Sequence, residues 1–478
     1  MSQPFENIIL LNLPNKERIT RRYMCSYASP VSLFPPYELL SVGGIIKAKL
    51  SKKVTLIDAI ADSLTLEEVI QRLKSMKPDL IITITGFECY SDDILAVKSV
   101  KSAFDYALVF VMGHYPTLFP KEALTESNAD FILHGEPDLC VIELIQTLES
   151  GDDISNINGV SYLAYDSFYT SYNNSRISNI NVLPLPAHEL LSSDSYSEPL
   201  LPKPYAVIQS ARGCPYQCNF CVKSFGSKLT EKSPERIVEE IIFLVSTRNI
   251  KSFRFTDDTF SLNPKRVIKV CQQIVDAGLN YLEWVCLSRV DTINEEMLYW
   301  MKKAGCKRIY FGVESGSARV LELLNKKTDI EASVDALLLV KKYDIQTSGF
   351  FMIGVPGETA EDIEMSIEYA IRAKLDFIAI GKFTPYPGTS FFDQFKEHID
   401  FTIYPYKLSL NFKEQDQYLK YEKYFYKRFY LRIPYMTSQI KKALNKPKDS
   451  IGYFSKFIFY SFGKGLNALN HIQNTAVK

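Results

Sequence analysis

No apolar run in this 478-residue chain reaches the roughly 18 residues that a membrane-spanning helix requires. Its 55 lysines and arginines equal its 55 aspartates and glutamates, so no overall charge marks a nucleic-acid binder and no nucleic-acid partner is expected. The opening Met-Ser-Gln-Pro-Phe-Glu-Asn has neither a basic n-region nor an apolar core, and no signal peptide is expected. Neither an internal repeat of about 20–50 residues nor a long low-complexity run occurs. The composition, 46% hydrophobic and 23% charged, is that of an ordinary globular protein long enough for two or three domains. A reducing cytoplasm is the expected setting.

Nine cysteines are too scattered for a disulfide framework in so long a chain. Three of them nevertheless fall within eight residues, as Cys214, Cys218 and Cys221 in Arg-Gly-Cys-Pro-Tyr-Gln-Cys-Asn-Phe-Cys. No fourth cysteine is near, and the nearest histidine, His188, lies upstream in a stretch rich in proline and serine. A tetrahedral zinc site would need such a fourth donor. Three thiolates can instead hold a [4Fe–4S] cluster with one iron left open, whereas closed electron-transfer clusters use four cysteines. An open iron implies a cluster that binds something. Gly213 and Pro215 disfavour regular helix and suit a loop curled around a compact ligand. The other six, Cys25, Cys89, Cys140, Cys271, Cys286 and Cys306, read as small buried hydrophobes.

Over residues 1–150, apolar strand-like runs alternate with helical patterns, which predicts α/β architecture with a parallel sheet. Strands are expected at 8–13, 54–58, 80–85, 107–113 and 131–134, and helices near 36–50, 65–75, 92–104, 119–126 and 139–150. Five such units fit a doubly wound sheet of flavodoxin-like order, with a ligand at the carboxyl ends of its strands. Thr85, Gly86, Gly113, His114, Thr117, Gly135 and Glu136 fall at those ends. Glycine there lets backbone approach a large planar ligand, although turns need glycine too.

Residues 151–204 read as an ordered connector carrying a small hairpin at 160–165 and 168–172. Strand–helix alternation then resumes six times between 205 and 400, as a partial barrel with its function at the strand C-terminal ends. Strands are expected at 206–211, 252–257, 282–287, 308–313, 347–353 and 377–382. Ser233-Pro234, Asn263-Pro264 and Asn294 are helix-start signals. The cysteine triplet follows the first of these strands. Asp257 and Asp258 end the second, Arg289 follows the third, Glu314 and Ser315 end the fourth, and Gly354, Gly357 and Glu358 follow the fifth. One acid after a strand is usually a helix cap; polar groups at four strand ends beside a cluster loop say more.

Residues 401–478 carry 14 lysines and arginines against 4 acids, with many aromatics. A helix is expected at 418–435, stopped near Pro434, and an aromatic-rich, partly amphipathic one at 451–469. A helical cap on the open barrel is one reading. A basic amphipathic surface touching anionic lipid, or a lipid-like substrate, is the other.

The triplet and the rim residues resemble the core of the radical S-adenosylmethionine (SAM) superfamily almost from end to end. The resemblance implies a [4Fe–4S] cluster on Cys214, Cys218 and Cys221 whose open iron chelates SAM, and reductive cleavage of SAM to a 5′-deoxyadenosyl radical. It implies SAM contacts at Phe220, Asp257, Arg289, Glu314, Ser315 and Gly354; ordering the active site is the other reading of Asp257. The first 150 residues resemble the cobalamin-binding domain that precedes many such cores. That likeness rests on Pro-Pro-Tyr-Glu-Leu-Leu-Ser-Val-Gly-Gly (35–44), Gly-His-Tyr-Pro-Thr and Ala-Asp-Phe-Ile-Leu-His-Gly-Glu (129–136), and Thr-Pro-Tyr-Pro-Gly-Thr (384–389) resembles the same branch. Thr85, Gly86, Gly113, His114, Thr117, Gly135 and Glu136 would then face cobalamin. The Asp-x-His-x-x-Gly motif is absent, so no histidine lower ligand to cobalt is expected.

The function so implied is cobalamin-dependent radical SAM methylation of an unactivated carbon in a small-molecule or lipid-like substrate, with a flavodoxin or ferredoxin as electron donor. Rival readings are a radical SAM cyclase, oxidase or rearrangement enzyme, a methylthiolating enzyme, and a non-catalytic cofactor sensor. A methylthiolating enzyme would need a second cysteine set, which residues 1–150 lack.

Overall fold

The computed structural model describes residues 4–23, 26–29, 31–165, 167–171, 176–398 and 415–444. Ile8–Asn12 (β1) is buried along its whole length, as a parallel strand covered on both faces must be. A hairpin follows, Ile19–Arg21 (β2) with Ser26–Ala28 (β3), too short to give a periodic signal. Tyr37–Leu50 (α1), Val54–Asp58 (β4), Leu66–Met76 (α2), Leu80–Ile84 (β5), Tyr90–Ala103 (α3) and Leu108–Met112 (β6) come next. The Thr65–Glu68 capping box starts α2. His114–Leu118 (α4), Pro120–Ser127 (α5), Phe131–Leu133 (β7) and Pro137–Ser150 (α6) lead into a hairpin of Val160–Ala164 (β8) and Ser167–Ser171 (β9).

The strand order is β4-β1-β5-β6-β7-β8-β9. Its first five strands follow the expected doubly wound order. The five-stranded expectation is corrected to seven: β8 pairs antiparallel with β7, so the hairpin assigned to the connector covers an edge that would otherwise expose unpaired backbone.

Tyr205–Ile208 (β10) stops short of the expected 206–211. Its continuation, Ala211–Arg212 (β11), turns away to pair antiparallel with Thr230–Glu231 (β12), so these short strands bracket the cysteine loop. Pro234–Arg248 (α7), Ser252–Phe255 (β13), Pro264–Asp276 (α8), Glu283–Ser288 (β14) and Glu295–Lys303 (α9) continue the alternation. Ser233, Asn263 and Asn294 cap α7, α8 and α9 through their side chains. Then come Cys306–Glu314 (β15), Ala318–Leu323 (α10), Ile330–Lys342 (α11), Gln346–Ile353 (β16), Ala360–Arg372 (α12) and Phe377–Lys382 (β17). Ser390–Phe395 (α13), Gln415–Tyr430 (α14) and Ile433–Leu444 (α15) complete the described elements.

These residues pack as two compact units. The first holds the seven-stranded sheet, β10 to β13 and α13; the second holds β14 to β17 with their helices, α14 and α15. In the first, β10 and β13 pair in parallel. In the second, β14, β15, β16 and β17 pair in parallel in that order.

In the second unit α14 covers β17. The Tyr430 hydroxyl accepts from the Ile378 N–H at 3.0 Å and the Tyr426 hydroxyl from the Ile380 N–H at 3.2 Å. From α15, the Tyr435 hydroxyl donates to the Asp376 carbonyl at 2.7 Å. This matches the cap reading for the described part of the C-terminal region. The single helix expected at 418–435 is corrected to two, and Pro434 opens α15 instead of stopping a helix, because proline lacks an N–H that the first turn does not use. The helix expected at 451–469 lies outside the described residues. Among the described residues no helix is long and apolar enough to cross a membrane.

Candidate functional site

In the first unit the cysteine loop is fixed at its entry. The buried Asp257 carboxylate accepts from the Ser210 N–H at 2.6 Å, the Ala211 N–H at 3.0 Å and the Ser210 hydroxyl. Asp257 therefore orders the turn between β10 and β11. Arg212 donates from Nη1 to Asp138 Oδ2 at 2.7 Å, from Nη2 to Asp138 Oδ1 at 3.0 Å and from Nη1 to Glu136 Oε2 at 2.9 Å. Its guanidinium also lies over the Phe225 ring, 5.2 Å from the centroid. Burial alone would raise the Asp138 carboxyl, but Arg212 and the Ser41 hydroxyl hold it below the usual carboxylate range.

Cys214, Cys218 and Cys221 are half-buried, while the other described cysteines are buried. Three thiols clustered in sequence on a loop, at an accessibility their fellows do not share, are the donor set that a [4Fe–4S] cluster needs. Burial pushes the Cys214 thiol up. Burial also pushes the Asp258 carboxyl up to about 6, against the pull of Arg22.

The loops after β5, β6 and β7 carry the residues expected at cobalamin, and most are engaged with one another. The Thr85 hydroxyl, fully buried, donates to Asp93 Oδ2 at 2.7 Å. Gly113 has φ +129°, and a Cβ there would lie 1.9 Å from the Thr85 carbonyl oxygen, so this glycine serves backbone packing. Thr117 Oγ1 donates to the Gly113 carbonyl at 2.7 Å and accepts from the Gly135 N–H at 3.2 Å. Both Glu136 oxygens accept from arginines, Arg176 Nε at 2.8 Å and Arg212 Nη1 at 2.9 Å. His114 Nδ1 lies 3.2 Å from the Ser224 hydroxyl, and burial lowers the imidazole to about 4, so it is neutral at pH 7. Gly86, His114 and Gly135 stand at the carboxyl ends of three neighbouring strands.

In the second unit, Arg289 grips Asp291 through Nε at 2.9 Å and Nη2 at 2.8 Å, and Nη2 also reaches the Lys326 carbonyl at 3.1 Å. Glu314 has φ +67°, a strained conformation for a residue with a Cβ, where β15 bulges against β16. Lys326 Nζ donates to its Oε1 at 2.9 Å. Ser315 is fully buried with its hydroxyl 3.1 Å from that of Ser366, which makes it a packing residue. Gly354 has φ +88°, and a Cβ there would meet nothing within 4 Å, so its face is open. Its N–H donates to Glu358 Oε2 at 2.6 Å. Phe220 lies half-buried in a turn of the cysteine loop in the first unit.

Sequence reasoning missed Arg212, Asp138, Arg176 and Ser224. Only the position of Arg212, two residues before Cys214, gave a signal; the others act across long stretches of chain.

The radical SAM superfamily profile matches residues 208–370. The chain is 33% identical over 385 residues to the uncharacterized methyltransferase PH0819 of Pyrococcus horikoshii, covering 80% of this chain and 81% of that one. It is 24% identical over 456 residues to the anaerobic magnesium-protoporphyrin IX monomethyl ester cyclase of Rubrivivax gelatinosus, covering 90% and 81%. The solved structure of the radical SAM methyltransferase TsrM from Kitasatospora setae, with cobalamin and a [4Fe-4S] cluster bound, has a TM-score of 0.66 at 17% identity. That match covers 82% of this chain and 78% of TsrM and shows a shared fold. The chain belongs to the radical SAM superfamily. It is a radical SAM enzyme of α/β fold, a doubly wound sheet followed by a partial βα barrel, and its family implies a [4Fe–4S] cluster and SAM.

Proposed function

We propose that this chain is a cobalamin-dependent radical SAM methyltransferase acting on an unactivated carbon of a small-molecule or lipid-like substrate. Residues 1–150 would form the cobalamin-binding domain, 151–204 the connector, 205–400 the radical SAM core and 401–478 a helical C-terminal region. The observation that carries the reading is the clamp on the cysteine loop: Arg212, beside the triplet, is held by Glu136 and Asp138 from the loop after β7. One set of contacts thus fixes both the proposed cluster loop and a proposed cobalamin loop.

When bound, the cluster supplies an electron for SAM cleavage and cobalamin a transferable methyl group; the protein's part is to position them and exclude water. Cys214, Cys218 and Cys221 hold the cluster. Phe220, Glu314 and Gly354 bind SAM, with Arg289 at its carboxylate, its guanidinium plane fixed by Asp291. Gly86, His114 and Gly135 would hold cobalamin. Thr85, Gly113, Thr117, Glu136, Asp257 and Ser315 act behind them as positioning residues. A flavodoxin or ferredoxin delivers the electron, and the basic C-terminal region is the surface for any membrane contact.

Anaerobic purification with hydroxocobalamin, followed by iron and cobalt analysis and assay of 5′-deoxyadenosine, tests this reading. Iron and cobalt together, with 5′-deoxyadenosine formed under reductant, support it. Cleavage retained by a Cys214→Ala, Cys218→Ala, Cys221→Ala triple variant overturns it. The Rubrivivax gelatinosus relative, which matches along 90% of this chain, favours ring formation as a second reading. A product heavier by one methylene unit separates methylation from it.

A further inference from the structure

The first unit holds a cleft, about 710 Å³ in volume, that none of the proposed cofactor contacts lines. The loops after β1 and β4 and one face of α3 form its walls. In the order β4-β1-β5 the chain steps outward from β1 to β4 and then returns past β1 to β5. The switch point of that order, where open α/β sheets bind ligands, lies between β1 and β5. The cleft opens beside it, against the loops after β1 and β4, whereas the proposed cobalamin residues follow β5, β6 and β7.

The lining is amphiphilic. Ile60, Leu64, Leu95 and Ala96 form the apolar part, and Leu95 is 64% exposed there, a large aliphatic side chain without cover. Lys16, Glu17, Arg18 and Asp92 are the charged lining residues, with Asn15 Nδ2 3.5 Å from Asp92 Oδ2. Arg18 donates from Nη2 to the Ser195 carbonyl at 2.5 Å, while its Nε is buried with no partner among the described residues. Burial lowers its pKa, and no acid offsets that. An arginine that, among the described residues, reaches a carbonyl and no carboxylate, in the lining of an amphiphilic cleft, is a partner for an external anion.

We propose that this cleft binds a small amphiphilic organic anion, its acidic head on Arg18 and its apolar body against Ile60, Leu64 and Leu95. The inference does not depend on the methyltransferase reading, since neither the cluster loop nor the proposed cobalamin residues take part.

The test uses the full chain with its cluster, prepared with and without hydroxocobalamin, and titrates the fluorescent anion 1-anilinonaphthalene-8-sulfonate. One saturable site is expected, unaffected by cobalamin. Arg18→Gln should weaken it about tenfold, as losing a charge-assisted hydrogen bond does, with Arg18→Lys recovering part of the loss. Ala96→Trp, which fills the cleft, should abolish the site, and Leu95→Ser, at an exposed position, serves if the tryptophan variant fails to fold. 5′-Deoxyadenosine formation should be unchanged in Arg18→Gln. Binding equal to that of the unaltered protein in Arg18→Gln overturns the proposal. So does absence of a saturable site, or displacement of the dye by hydroxocobalamin, which would assign the cleft to the cofactor.

Discussion

Arg212 and Asp138 form a buried bidentate pair, Nη1 to Oδ2 at 2.7 Å and Nη2 to Oδ1 at 3.0 Å, two residues before the first cysteine of the triplet. Removing Asp138 leaves the buried Arg212 only the single carboxylate bond to Glu136, and losing charge-assisted hydrogen bonds of this kind costs about 1.5–3 kcal/mol. Asp138→Asn, which keeps the shape, should lower stability to denaturant by that order and reduce the iron retained after anaerobic reconstitution. Unchanged stability together with full iron would show that the clamp does not position the loop.

Two glycines separate packing from ligand access. Gly354→Ala adds a methyl group into open space at φ +88°; the backbone strain should cost about 1–2 kcal/mol, while SAM binding, measured by equilibrium dialysis on the reconstituted protein, weakens further than that loss of stability explains. Gly113→Ala drives its Cβ to 1.9 Å from a carbonyl oxygen and should destabilise the fold strongly. Equal effects of the two changes on SAM binding would contradict these roles.

Glu358 gives the fold a pH dependence. Burial raises its carboxyl from 4.5 to about 7, opposed by the Gly354 and Val355 N–H groups and by Arg319, and reinforced by Asp362. Between those values the folded state holds a proton that the unfolded state has lost, so stability falls as pH rises from about 4.5 to about 7 and is level above. The span corresponds to a loss on the order of 3 kcal/mol. Glu358→Gln should remove that component, read as a smaller fall in the denaturation midpoint between about pH 5 and about pH 8. An equal fall in both proteins would refute the assignment.

The α14 tyrosines bonded to β17 are the fourth test. Tyr430→Phe leaves the Ile378 N–H without its acceptor hydroxyl and should cost about 1–3 kcal/mol. Tyr426→Phe does the same to the Ile380 N–H, and hydrogen exchange at those two amides should accelerate in the respective variants. Unaltered exchange would mean that α14 covers the strand by its apolar contacts alone.

The fold was legible where a strand is largely apolar: Val54–Asp58 and Phe377–Lys382 match their expected bounds, and Ile8–Asn12 and Leu80–Ile84, buried throughout, fall within one residue of theirs. Half-exposed or three-residue pieces were not. The β8–β9 hairpin read as a connector because its pairing partner, β7, lies elsewhere in the sequence, and β2–β3 is too short to show a period. The cysteine loop was legible because its residue types and spacing lie within eight consecutive residues. The side chains of Thr85, Thr117 and Glu136 were harder to read. Strand-end position puts a residue near a ligand site, but whether its hydroxyl or carboxylate faces the ligand or Asp93, Gly135 or Arg212 depends on loops packed from distant sequence.

The most direct test is electron paramagnetic resonance of the anaerobically reconstituted, dithionite-reduced protein, recorded before and after SAM is added. An iron held by only three protein sulfurs should take SAM as a ligand, so the cluster signal should shift on addition and vanish in the triple cysteine variant. A reduced-cluster spectrum indifferent to SAM, or a centre that persists without those cysteines, would contradict the account.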